Sequence, residues 1–337
     1  MKSWRETAQI FREIETLLAA GRAGALATLV KLEGSGYRRP GAKLLIREDG
    51  SVVGQVSGGC LENDLRERAL RQLANRGEPE LVHYDTGGDE DTLWGLGLGC
   101  NGKLDVFIQR IAPDDPVDQL PAILERLSGI EAFALRTLLD GREAGRISLG
   151  PPFTDERSGI MLDGDGRMFV DHLEPPPDVV IVGAGDDAIP LVRLATEAGF
   201  RVTLVDHRAS YATAARFPDA ASIAVTRPES AGSAVPGNAQ TYAVIMNHAL
   251  TFDKAWAARF AATAAPYIGL LGPARRRDEI LAGLPPESHA RIHGPIGLDI
   301  GADDAAQIAI SIVAEILAVD GRRSAGFLRG ASSPLHA

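Results

Sequence analysis

Apolar residues at Trp4, Ala8, Phe11, Ile14 and Leu18 recur at three- and four-residue steps, so the chain opens on a helix with one apolar face. Ser3 followed by Glu6 predicts a capping box at its start, and Gly21 predicts its end. From Gly24 the pattern changes to short extended runs broken by glycine. Residues 25–30, 43–46 and 51–56 read as strands, followed by a helix from about Leu61 to Asn75. Further strands are expected at 81–84, 104–108, 133–139 and 167–170. The stretch from about 115 to 172 is otherwise mixed and carries no functional signal. The sequence EPPP at 174–177 cannot sit inside a helix or a central strand and reads as a stiff linker.

After the prolines the period becomes βαβ. Residues 178–185 are a buried strand running into a glycine turn, 189–199 a helix and 200–206 the next strand, with later strands at 243–246 and 267–272. A last helix begins near Asp303. There Asp304 and Gln307 form a capping pair, and Ile308, Ile312, Ile316 and Val319 line the buried side. The expected fold is α/β: a mixed α+β domain over 1–173, the linker 174–177, a Rossmann-like parallel-sheet domain over 178–320, and a poorly ordered tail over 321–337.

Composition narrows the class. The chain has 337 residues, 45% of them apolar, which is enough for two cores. Lys and Arg number 35 against 45 Asp and Glu, a formal charge of −10 that argues against coating nucleic acid or an anionic membrane. Two cysteines rule out a disulfide scaffold and point to a reducing compartment. The charged N-terminus is not a signal peptide. The longest apolar stretch, Ile308 to Val319, contains Glu315 and is shorter than the roughly 20 residues of a membrane span. A cytoplasmic protein is expected.

Four places carry candidate chemistry. Gly183, Gly185 and Ala188 have the G-x-G-x-x-A spacing between a strand and a helix, and Asp206 ends the next strand where a ribose-binding acid would sit. Asp186 and Asp187 suit the helix dipole but oppose an incoming pyrophosphate, while Arg208 offers a compensating charge. Alternatively, the glycines only permit a tight turn and close packing. Cys60 in VSGGCLENDL and Cys100 in GLGLGCNGKLD both lie in glycine loops, where Gly58 and Gly59 leave the Cys60 thiol open to approach; each is otherwise a small buried apolar residue. His83 is the only histidine nearby, so no zinc site is expected. Arg38, Arg39 and Lys43 in GSGYRRPGAK form a candidate anion loop, as do Arg275, Arg276 and Arg277; solvated turns are the alternative.

Five segments in order, GSGYRRPGAKLLI (34–46), VSGGCLE (56–62), GLGLGCNGKLDV (95–106), VGAGDDAIPLVRLATEAGFRVTLVDHR (182–208) and GPIGLDIGADDAAQIAISIVAEILAV (294–319), together resemble the XdhC/CoxI family of xanthine dehydrogenase accessory proteins. The resemblance implies a chaperone rather than an enzyme. It would bind and protect the molybdenum cofactor, an anionic molybdopterin, assist its sulfuration with a cysteine desulfurase, and insert it into a xanthine dehydrogenase-type molybdenum hydroxylase. A homodimer is also implied. On that basis Cys60 is the candidate contact to the metal and Cys100 the second. Arg38, Arg39 and Lys43 are the anion contacts, and Gly183, Gly185, Asp206 and Arg208 serve the pterin or nucleotide portion. Two alternatives stand beside it: an NAD(P)-dependent oxidoreductase with His248 as its acid or base, and a cofactor-free adaptor that docks a desulfurase and a dehydrogenase.

Overall fold

The computed structural model describes residues 2–34, 36–85, 102–151, 158–164 and 166–329. The chain divides into two compact units, Met1–Pro175 and Pro176–Ala337.

In the first unit, helix α1 (Lys2–Ala19) leads into β1 (Gly24–Gly34), β2 (Lys43–Arg47) and β3 (Val52–Gly54). Helix α2 (Glu62–Asn75), β4 (Glu80–Asp85), β5 (Gly102–Ile111) and α3 (Leu120–Ser128) follow. The strands form an antiparallel sheet in the order β3-β2-β1-β5-β4. Side chains alternate across it because the strand period is two. Leu26, Leu45 and Ile111 join Phe11 and Ile14 of α1 and Ile123 and Leu127 of α3. Ala27, Leu29, Leu44 and Val106 bury the other face against Leu61, with Leu65 and Ala69 of α2. A second antiparallel sheet of β6 (Phe133–Leu138), β7 (Ile147–Gly150), β8 (Gly159–Asp163) and β9 (Gly166–Leu173) has the order β7-β6-β9-β8. It contributes Phe133, Leu135, Ile147 and Leu173 to the α1 side of the core.

The start of the chain corrects one expectation. Ser3 does not precede the helix, which runs from Lys2. Both oxygens of Glu6 are held by the guanidinium of Arg38 in a charge-assisted fork.

The second unit is a parallel sheet covered on both faces. It runs β10 (Asp178–Val182), α4 (Ala188–Glu197), β11 (Arg201–Asp206), β12 (Ser222–Val225), β13 (Thr241–Ile245), α5 (Leu250–Ala261), β14 (Tyr267–Leu270), α6 (Ala274–Leu281), β15 (Ile292–His293) and α7 (Ala305–Asp320). The strand order is β12-β11-β10-β13-β14-β15, and every neighbouring pair is parallel. This is the doubly wound Rossmann order, and the chain reverses direction across the sheet between β10 and β13. Val180 and Val182 pack with Trp256 and Phe260 of α5 and Ile280 of α6, while α4 packs against α7. The α7 cap is as expected: Asp304 accepts the Gln307 N–H at 2.8 Å, and Gln307 accepts the Asp303 N–H at 2.8 Å.

Candidate functional site

Two loops bring most of the candidate residues of the first unit together. The turn between β1 and β2 carries Tyr37, Arg38 and Arg39, and the turn before α2 carries Gly58, Gly59 and Cys60. They are neighbours: a Cβ placed on Gly58 would lie 3.6 Å from the Tyr37 ring, which is itself 63% exposed. Gly59 has φ +106°, a conformation that glycine adopts at little cost. Cys60 is half-buried, reduced, and leans on the core beneath α2.

Ser57 and Glu62 build this turn. Glu62 accepts the Ser57 N–H at 2.9 Å and the Ser57 hydroxyl. Its other contact, the Leu61 N–H at 3.2 Å, is shared with the Ser57 oxygen, which also accepts Gly59 N–H at 3.3 Å. The positive end of α2 therefore already faces the carboxylates of Glu62 and Asp64, so Cys60 does not have the helix dipole to itself. Sequence reasoning misses Glu62, although it ends the VSGGCLE segment.

The basic loop does not present three free cations. Lys43 is 5% exposed, and its ammonium is held by Asp171 of β9, by the Gly41 carbonyl at 2.9 Å and by the Thr7 hydroxyl at 3.5 Å. All three of its protons are taken inside the unit. Arg38 is buried on Glu6. Sequence shows the positive charges but not the carboxylates, 128 and 32 residues away, that neutralise them. Arg39 is exposed and has no ion-pair partner among the described residues. Cys100 lies outside the described residues. Among those described, no group of three His, Cys, Asp or Glu residues is placed to hold a metal ion.

In the second unit the glycine turn leaves β10 at the point where the strand order reverses. Gly183 has φ +117°, and a Cβ there would sit 2.8 Å from the Met246 carbonyl oxygen, so only glycine fits. Asp206 is buried, and its carboxylate faces the turn rather than the crevice. It accepts the Ala184 N–H at 2.7 Å, the Arg208 N–H at 2.8 Å, and the Arg208 Nε and Nη2 at 3.0 and 2.8 Å. Burial pushes the Asp206 carboxyl up. The Arg208 guanidinium and the two amides outweigh that and hold it down at about 2. Arg208 is therefore not a free cation: it is bonded to Asp206, the residue expected to take a ribose.

Arg216, which the sequence pattern does not reveal, clamps the turn from the other side. It donates to the Ala184 carbonyl at 2.8 Å and to Asp186 at 2.6 Å. Tyr211 lies beneath the Arg208 guanidinium, 4.0 Å from its ring centroid. His248 is exposed, with Nε2 4.0 Å from where a Gly185 Cβ would be. The second basic loop is also internally paired: Arg275 with Glu279, Arg276 with the buried Asp253, and Arg277 with Asp278 and the Gly294 carbonyl.

An antiparallel α+β unit with a cysteine in a glycine turn, followed by a Rossmann unit, defines the architectural class. The profile of the XdhC and CoxI family matches residues 17–85, and that of the XdhC Rossmann domain matches residues 179–316. The chain is 33% identical over 318 residues to a Bacillus subtilis (strain 168) protein described as a probable xanthine dehydrogenase subunit, covering 90% of this chain and 95% of the relative. It is 27% identical to the molybdenum cofactor insertion chaperone PaoD of Escherichia coli (strain K12), covering 92% and 87%. A crystal structure of a xanthine dehydrogenase from Bacillus halodurans superposes with a TM-score of 0.76 at 29% identity, over 96% of this chain and 98% of that one. The chain belongs to the XdhC and CoxI family.

Proposed function

We propose that this chain is a carrier for the molybdenum cofactor: it binds the molybdopterin as cargo, shields it, and delivers it to a xanthine dehydrogenase-type molybdenum hydroxylase. The observation that carries this reading is the likeness along nearly the whole chain to a relative described as a molybdenum cofactor insertion chaperone. The first unit is chemically suited to such cargo. Cys60 offers a soft sulfur donor to a metal–sulfur centre. The glycines on its N-terminal side let the cargo approach the backbone, Arg39 offers an exposed guanidinium for an anionic group, and Tyr37 offers a flat face for a heterocycle.

In this reading Cys100 is a second sulfur contact, and a cysteine desulfurase meets the loaded carrier to assist the sulfuration of its cargo. The carrier works as a homodimer in the cytoplasm. Arg38 and Lys43 support the loop from beneath rather than touching cargo.

The test is to purify the chain from a host that makes the cofactor and to measure the fluorescence and mass of its oxidised pterin. Stoichiometric pterin that is lost in Cys60→Ala is expected. Protein free of pterin, together with no transfer of cofactor to an apo-hydroxylase, overturns the reading.

A further inference from the structure

The glycine fingerprint after β10 implies an adenine dinucleotide, and the residues around it do not fit one. At the end of the second strand a dinucleotide needs a carboxylate free to take its ribose hydroxyls (NAD) or an arginine free to take its 2′-phosphate (NADP), and it needs a crevice between the outward-running strands for its pyrophosphate. Asp206 occupies that strand position, but both of its oxygens are filled by Ala184 and Arg208. A ribose diol must displace a guanidinium fork to reach it.

The crevice is barred as well. β10 lies between β11 and β13 in the sheet. His207 is the first residue after β11, and Phe252 lies in α5, which follows β13. Their rings stack with centroids 4.4 Å apart and planes 12° from parallel. The contact therefore links the segment after β11 to the helix after β13, the two strands that flank β10.

We propose that this Rossmann unit is closed to NAD(H) and NADP(H), and that the Arg208–Asp206 fork and the His207–Phe252 stack are what close it. The exclusion goes beyond the carrier reading and does not rest on it, since the nicotinamide measurement below reports nothing about pterin on the first unit. Either can fail alone.

The experiment titrates the full chain with NADH and with NADPH, following nicotinamide fluorescence and heat of binding. Wild type gives no saturable signal up to millimolar ligand. Arg208→Ala/Phe252→Ala, which frees Asp206 and removes one ring of the stack, binds NADH at least about tenfold more tightly. Arg208→Gln alone, which keeps much of the side-chain volume, gives a smaller gain and serves if the double variant does not fold by circular dichroism. Saturable binding of either nucleotide to wild type, or folded variants that bind no better than wild type, overturns the proposal.

Discussion

Lys43 and Asp171 are 128 residues apart in sequence and form a buried ion pair that joins β2 of one antiparallel sheet to β9 of the other. Asp171 also accepts from the Ser158 hydroxyl at 3.1 Å, and a Cβ on Gly41 would collide with its Oδ1. Three features of the first unit thus depend on one carboxylate. Lys43→Met leaves that carboxylate buried without its cation and is expected to destabilise the unit by about 3–5 kcal/mol. Lys43→Met/Asp171→Asn, which removes both charges, recovers much of the loss. Urea unfolding of the three proteins measures it; a Lys43→Met protein as stable as wild type refutes the structural role given to this pair.

Arg38 and Arg39 are adjacent in sequence, yet the structure assigns them different work. Arg38→Ala leaves Glu6 without its partner and lowers the melting temperature. Arg39→Ala stays within about 0.5 kcal/mol of wild type in stability, because the side chain is exposed and forms no ion pair among the described residues. Pterin retention shows the opposite order, with the larger loss in Arg39→Ala. Equal pterin loss in both, at equal stability, contradicts the assignment.

The glycine turn of the second unit gives a sharp contrast. Gly183→Ala forces a Cβ into the Met246 carbonyl at a left-handed φ and costs about 1–3 kcal/mol. At Gly185 the nearest atom to a new Cβ is 4.0 Å away, so Gly185→Ala is expected to be well tolerated. Thermal melts of the two variants compare them directly, and a Gly185→Ala protein as unstable as Gly183→Ala would falsify this account of the turn.

Acid should expose the Asp206–Arg208 fork. The folded-state carboxyl is held at about 2, below its ordinary value near 3.8, so its contribution to stability is fully present above about pH 5. That contribution, on the order of 2 kcal/mol, is lost as pH falls through 4 towards 2. Arg208→Ala raises the Asp206 pKa and loses most of the contribution at neutral pH. The stability gap between wild type and Arg208→Ala is therefore widest near pH 7 and narrows on acidification. Urea titrations at pH 7, 5 and 3 check this; a gap that widens towards acid has the wrong sign.

Local pattern determined a good deal of this protein. The turn from β10 into α4, the strand β11 ending at Asp206, the Asp304–Gln307 cap and the helix that follows Cys60 are all legible because each depends on neighbours within a few residues. The short strands β7, β8 and β12 are not legible in this way, since each has only four or five residues and is stabilised by pairing partners elsewhere in the chain. Tertiary structure alone decided which charges remain available to a ligand. The residue types of Arg38, Lys43, Asp206 and Arg208 suggest binding. Whether a side chain binds outward or inward depends on what the fold sets against it, and Glu6, Asp171 and the Ala184 amide reach them only once the strands have paired. A charge is a property of one residue, whereas its neutralisation is a property of the packed chain.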